Sequence, residues 1–254
     1  MRRPMLALLA AGLIAAGAGE AARAAETPAP PQEHWSFQGI FGTFDRAALR
    51  RGFQVYKEIC SNCHSMDLLH YRNLEAIGFS EQEVRNIAAA VQVTDGPNDA
   101  GDMFERPGRP SDPFKAPFPN ANAARAANNG ALPPDLSLIV KARAGGADYV
   151  HAILTGFKDP PPGFKMFPGM NYNEYFPGHQ IAMPPPLSDG AVTYADGTKA
   201  TVDQMARDVA TFLAWASEPN LEERHYTGVK TVLFLIVLTA LMYGVKRKVW
   251  AEVH

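Results

Sequence analysis

The sequence predicts a mainly α-helical domain with long irregular loops, one small hairpin and a single C-terminal membrane-spanning helix. Apolar residues recur at helical spacing behind good capping side chains, long stretches rich in Pro, Gly and Asp carry no period, and an apolar run free of charge stands near the C-terminus. Strand-like alternation is scarce.

At the start, Met1-Arg2-Arg3-Pro4 is short and basic, Met5 to Ala18 is apolar, and Ala22-Arg23-Ala24 is a small-x-small cleavage site. Residues 1–24 are therefore expected to be a secretory signal peptide, since the apolar stretch is too short to span a bilayer. Residues 25–224 follow as an exported domain of about 200 residues, enough for one sizeable core. Thr27-Pro28-Ala29-Pro30-Pro31 reads as an extended arm. Asp45 is a good N-cap, and Leu49, Phe53, Tyr56 and Cys60 then recur on one helical face. Ser80 and Glu83 form a capping box ahead of Val84, Ile87, Ala88 and Val91, which predicts a second helix. Thr201 and Gln204 do the same ahead of Val202, Met205, Val209, Phe212 and Ala216, and that helix should stop before Pro219. Val192-Thr193-Tyr194 and Thr198-Lys199-Ala200 around Asp196-Gly197 predict the hairpin. Thr94 to Pro119 reads as one long loop, and Pro160 to Pro162 with Pro184 to Pro186 punctuate a second irregular region.

Residues 225–245 are the expected transmembrane helix: Thr231 to Val245 carries no charge, and about twenty helical residues cover the ~30 Å of a bilayer core. Lys230 can carry its ammonium out to the interface, and Tyr226 and Trp250 suit the two headgroup regions. Lys246-Arg247-Lys248 opens the tail, residues 246–254, and by the positive-inside rule holds it in the cytoplasm. The resulting topology is single-pass in the cell inner membrane, with the main domain on the periplasmic side. The chain carries −2 overall, while residues 1–24 and 246–254 each hold three basic and one acidic residue, which leaves the exported domain at −6. An acidic exterior keeps a domain soluble, and in an electron carrier it can also steer a basic partner.

Both cysteines of the chain lie in Cys60-Ser61-Asn62-Cys63-His64, the attachment signature for a c-type haem. Two thiols three residues apart on a helical turn face one way and can form thioethers with both vinyl groups of one porphyrin. His64 then offers its imidazole to the iron. A zinc knuckle would need a second ligand pair, and no third cysteine exists. A thioredoxin-like pair leaves His64 unexplained. No cysteine remains for a disulfide, so core and porphyrin must hold the exported fold.

A His-ligated haem has either a sixth ligand or an open site, and Met is the usual ligand where electron transfer is the task. Of nine methionines, Met1 and Met5 leave with the presequence, Met66 is too near His64, Met242 lies in the span and Met205 falls on an apolar helix face. Met103, Met166, Met170 and Met183 remain, with His34, His70, His151, His179 and His225 as weaker candidates. Met183 stands before Pro184-Pro185-Pro186, whose fixed backbone makes a stiff mount for a ligand, though a Pro-flanked Met can equally plug a loop.

These residues resemble a known family, cytochrome c1, the membrane-anchored haem subunit of the bacterial cytochrome bc1 complex (ubiquinol–cytochrome c oxidoreductase). The resemblance covers nearly the whole mature chain. It rests on Trp35-Ser36-Phe37, Gly42-Thr43-Phe44-Asp45, Val55-Tyr56-Lys57-Glu58, the run from Ala124 through Asn128-Asn129-Gly130 to Leu132-Pro133-Pro134-Asp135-Leu136-Ser137, and Tyr175-Phe176-Pro177-Gly178 before Ile181-Ala182-Met183-Pro184. Asp208-Val209, Phe212-Leu213, Trp215, Glu218-Pro219 and Arg224 complete the series.

The resemblance implies one covalent haem c on Cys60 and Cys63 with His64 and Met183 as axial ligands, Arg143 paired with a haem propionate, and Tyr149 near the haem. It implies an electron carrier within a quinol–cytochrome c reductase, taking one electron from the Rieske iron–sulfur protein and passing it to a cytochrome c. Partners would be cytochrome b, the Rieske protein, the acceptor cytochrome and membrane lipid within a dimeric complex, with no nucleic acid among them. Some bacterial relatives carry a further disulfide that two cysteines cannot make here. Three rivals differ in class: an anchored cytochrome c of another respiratory branch, a ligand-binding or peroxidase-like haem enzyme with an open sixth position, and an interaction module with an adventitious motif.

Overall fold

The computed structural model describes residues 27–252, so the presequence reading lies outside the described residues. The domain is built on helices α1 (Arg46–Glu58), α2 (Glu81–Ala89), α3 (Ala121–Ala127), α4 (Ile139–Ala142), α5 (Gly146–Thr155) and α6 (Val202–Ser217), and α7 (Leu221–Val249) projects from it.

Caps set the helix starts. Asp45 begins α1 by accepting from the Ala47 and Ala48 amides at 2.8 and 3.2 Å. Ser80 and Glu83 form the full capping box of α2, whereas at α6 only the Thr201 half is made, its hydroxyl accepting from Gln204 N at 3.2 Å. Helix α6 ends at Ser217, before Pro219, as its sequence requires.

The core sits where α1 crosses α6, with α5 and α4 also packed on α6. Gly52 makes the crossing possible: a Cβ there would lie 2.1 Å from Asp208 O and 2.7 Å from Phe212 Cβ. Around this point Leu49, Val55, Met205, Val209 and Phe212 are fully buried. The Phe212 ring meets Phe53 and Tyr56, both at 5.8 Å, and Tyr56 stacks on Phe114 at 5.9 Å. Fully burying such a ring contributes about 2–3 kcal/mol. Asp208 is also buried in the crossing, and Arg51 grips it with a fork of 2.9 and 3.0 Å. The pair locks helix register, because parting it would leave a carboxylate uncompensated in the core.

The N-terminal arm has no regular structure but is tied down. Trp35 Nε1 donates to Asp148 Oδ1 of α5 at 2.6 Å, and Arg207 of α6 pairs with Glu33.

The sequence-predicted hairpin is not there. The Asp196-Gly197 turn forms, with Gly197 N donating to Tyr194 O at 3.2 Å. Its flanks build no strands: Val192 and Tyr194 are core anchors, each 4% exposed, but Gln54 Nε2 of α1 donates to Thr193 O at 2.9 Å and Thr198 N donates to Asp196 Oδ1 at 3.0 Å, so these backbone groups are taken outside a ladder. Two small antiparallel sheets stand elsewhere: β1 (Gln92–Asp95) with β2 (Phe104–Pro107), and β3 (Asn171–Tyr172) with β4 (Gln180–Ile181). The second half of β1 and all of β2 lie inside Thr94 to Pro119, the segment expected to be one long loop. The residues of this sheet are exposed or half-buried, so no apolar alternation marks it, and Arg106 pins it by pairing with Asp95 and, at 2.6 Å, with Asp112.

Helix α7 is long and apolar enough to cross a membrane, with a mean hydropathy of 2.0 over its central window and none of that window buried. Twenty-nine residues give about 43 Å of helix. It overruns the expected 225–245 at both ends, through Glu222 and Glu223 in its first turn and Lys246, Arg247 and Lys248 in its last, signs that suit the helix dipole.

Candidate haem site

Helix α1 delivers the cysteine motif. Its apolar face is buried from Ala48 through Tyr56, and the chain then tightens into a 3₁₀ turn, Cys60–Asn62. Cys63 N and His64 N both donate to Cys60 O, at 3.1 and 2.9 Å, so one short turn carries both thiols and the imidazole. The two cysteines are free, Cys60 half-buried and Cys63 exposed. Burial, with Cys63 adding to it, pushes the Cys60 thiol up to about 12. A thiol raised by burial is a poor redox nucleophile. Among the described residues no group of three His, Cys, Asp or Glu is placed to hold a metal ion.

His64 is held by the loop of residues 134–137. Its Nδ1 lies 2.8 Å from Pro134 O and donates to that carbonyl. Burial keeps the imidazole below its usual pKa, and the Pro134 bond only partly offsets this. The ring is therefore neutral at pH 7 with Nε2 as its free lone pair, the state an iron ligand needs. Asp135 extends the clamp by accepting from Ser65 Oγ, Asp67 N and Ser137 N, each at 2.8 Å. Leu136 N donates to Ser65 O at 2.9 Å and Leu68 N to Ser137 Oγ at 3.1 Å. Burial pushes the Asp135 carboxyl up, but the bonds it accepts outweigh that and hold it below the usual carboxylate range. The only sequence signal for this clamp was Pro-Pro-Asp, a rigid approach to a residue that bonds backbone amides.

Met183 is half-buried on the irregular segment after β4, and Asn171 Nδ2 of β3 donates to its carbonyl at 3.3 Å. Met103 is 60% exposed between β1 and β2, away from the buried face of α1. Met166 and Met170 lie on the irregular segment before β3, half-buried and exposed respectively, and Met205 is fully buried in α6. Among the histidines, His151 Nε2 is 3.0 Å from Asp203 in the α5–α6 packing and His225 Nδ1 bonds Gly42 O on α7. His179 stacks on Tyr172 at 5.6 Å, and its buried Nδ1 has no partner. Among the described residues no hydrogen bond joins the His64 turn to the Met183 segment.

Arg143 and Tyr149 come together at the turn between α4 and α5. Gly145 there takes φ +86°, a left-handed backbone that only glycine adopts freely, and it reverses the chain beside the Tyr149 side chain. Arg143 is exposed, and among the described residues its guanidinium has no carboxylate partner. Burial raises the Tyr149 hydroxyl, and the nearby Arg143 charge pulls part of that back.

Comparison with known proteins covers nearly the whole described chain. A model of the Cytochrome C1 family matches residues 35–253. "Cytochrome c1" of Rhodospirillum rubrum is 46% identical over 263 residues, 97% of each chain. "Cytochrome c1, heme protein, mitochondrial" of Saccharomyces cerevisiae is 51% identical over 224 residues, 88% of this chain and 72% of that one. "Cytochrome b/c1" of Bradyrhizobium diazoefficiens is 50% identical over 98% of this chain, which spans only 40% of that longer protein. With two free thiols on one turn, a neutral imidazole beside them and this degree of identity along its length, the chain belongs to the cytochrome c1 family, the haem-carrying electron-transfer subunit of the bc1 complex, and carries one covalently bound haem c.

Proposed function

We propose that this chain takes one electron at a time from the Rieske iron–sulfur protein and passes it to a cytochrome c, with Cys60 and Cys63 as thioether anchors and His64 and Met183 as axial ligands. The observation that carries this reading is the His64 clamp: a neutral imidazole, fixed through Nδ1 to Pro134 O at 2.8 Å, leaves Nε2 committed to one direction. The bound haem supplies a one-electron ferrous–ferric couple whose potential His/Met ligation raises.

The chain's own residues do the rest. Pro134 and Asp135 hold the imidazole orientation from the clamp side. Pro184 to Pro186 stiffen the Met183 segment. Arg143 offers its unpaired guanidinium to a propionate, with Tyr149 beside it. Residues 225–245 anchor the domain and pack on cytochrome b within a dimeric complex. Residues 1–24 direct export and are removed, residues 25–224 stand in the periplasm, and residues 246–254 stay in the cytoplasm of a single-pass inner-membrane protein.

The test is the optical spectrum and redox titration of the detergent-solubilised wild type beside Met183→Leu. A low-spin, high-potential wild type, with a mutant that turns high-spin or drops strongly in potential, supports the relay. An unchanged mutant removes Met183 as the ligand and turns the search to Met166, Met170 and His179.

A further inference from the structure

Away from the haem site, the turn Gly39–Gly42 holds two large apolar side chains in the open, Ile40 at 66% and Phe41 at 77% exposure. The turn is stiff. Gly42 N donates to Gly39 O at 3.2 Å and Thr43 N to Ser36 O at 3.0 Å. A Cβ on Gly42 would lie 2.3 Å from Gln38 O, so the chain folds back too closely for any side chain there. The base of the turn is rooted in the core, because Trp35 and Phe44 are buried and Phe37 packs on both, at 5.6 and 5.0 Å. The apolar pair thus stands on a rigid, anchored support.

That support is fastened to the head of α7. Gly42 O bonds His225 Nδ1 at 3.2 Å, Phe44 N donates to Glu222 Oε1 at 2.7 Å, and Arg46 pairs with the same carboxylate at 2.7 Å. One residue after His225, Tyr226 carries the Lys230 ammonium 3.7 Å over its ring, an arrangement that suits a headgroup region. The exposed apolar run begins at Val232, about 10 Å of helix beyond His225. Ile40 and Phe41 therefore lie beside the stretch where α7 passes from polar to apolar surroundings.

We propose that Ile40 and Phe41 insert into the boundary between headgroups and acyl chains of the lipid bilayer. They form a second, shallow membrane contact that, with α7, fixes the tilt of the exported domain and hence the height of the His64 turn above the membrane. The inference rests on α7 being the membrane span. Lipid is the occupant because the three bonds to Glu222 and His225 hold the turn where α7 itself must meet the headgroups.

The test uses the full-length, haem-loaded protein in phosphatidylcholine vesicles, where both native cysteines are consumed by the haem. Single nitroxide labels go on Phe41→Cys, Ile40→Cys, Leu68→Cys as an exposed control, and Leu235→Cys within the span. An unchanged haem spectrum certifies each variant. The expected result is that labels at positions 40 and 41 meet dissolved oxygen more, and an aqueous nickel chelate several-fold less, than the label at position 68, with the label at 235 deepest. Labels at 40 and 41 as open to nickel as that at 68, with 235 still in lipid, overturn the inference alone. A label at 235 open to nickel overturns the span itself. Labels at 40 and 41 shielded from both reagents show protein contact and overturn the lipid assignment.

Discussion

Replacing Gly52 by Ala tests the helix crossing on which the haem motif depends. The added Cβ would meet Asp208 O at 2.1 Å, against an ordinary carbon–oxygen contact of about 3.3 Å, so α1 and α6 must part by roughly 1 Å at their closest point. The obstacle is helix backbone, which cannot rotate aside as a side chain can. Overpacking of this kind costs about 3 kcal/mol or more at the upper end of its range, and the better helix propensity of Ala returns about 1 kcal/mol. The net loss of about 2 kcal/mol corresponds to a fall of roughly 4–8 °C in Tm for a domain of this size. Thermal unfolding of the haem-loaded protein, followed by far-ultraviolet circular dichroism and by Soret absorption, reads both the fold and the site. Gly228→Ala makes the same chemical change in α7, where nothing lies within 4 Å of the added carbon, and should cost nothing. A Gly52→Ala protein melting within a degree or so of wild type would refute the crossing as described.

The clamp and the first hairpin carry further expected outcomes. Asp135→Ala strips the partners from Ser137 N and Asp67 N and should cost about 1–3 kcal/mol in denaturant unfolding; Asp135→Asn, which removes a negative charge beside the His64 turn, should raise the haem potential in a redox titration, and an equal or lower potential would count against the clamp's electrostatic role. At the hairpin, the Arg106 guanidinium holds Asp112 at about 2, below the ~3.9 of an unfolded aspartate. A depressed carboxylate stabilises the fold fully above about pH 4 and loses that contribution as pH falls toward its folded value. Amide-exchange protection across β1 and β2 should therefore be level from neutral pH down to about pH 5 and decline below about pH 4, while Arg106→Gln should move the decline to higher pH; protection that ignores both acid and the substitution would disprove the pairing.

Much of the site was legible in the chain because its chemistry is local. Cys60, Cys63 and His64 sit within five residues, and Asp45 and the Leu49–Phe53–Tyr56 face place them at a helix end without any long-range information. The caps at Ser80 and Thr201 and the stop before Pro219 were local as well. The Asp196-Gly197 turn forms as its residues predict, yet the strands predicted around it do not, since the Thr193 carbonyl is taken by Gln54 of α1, 139 residues away in the chain. The true hairpin at Gln92–Asp95 and Phe104–Pro107 carries no apolar period; ion pairs from Arg106 hold it, and these involve groups up to eleven residues away. Helix α5 escaped for a related reason, as its start is set by a left-handed glycine rather than a capping side chain.

By itself the sequence determined the helical class, the haem motif with its free-standing histidine, and an apolar segment long enough to cross a bilayer, because each depends on side chains within a few turns of one another. The tertiary structure alone decided which carbonyl orients His64, with Pro134 seventy residues away. It also decided that Gly52 is where α1 and α6 touch, and that Gly42 and Glu222 bring an exposed apolar turn to the head of α7. Those contacts join residues far apart in the chain, and their partners are chosen by the geometry of packed helices, which no local pattern of residues encodes.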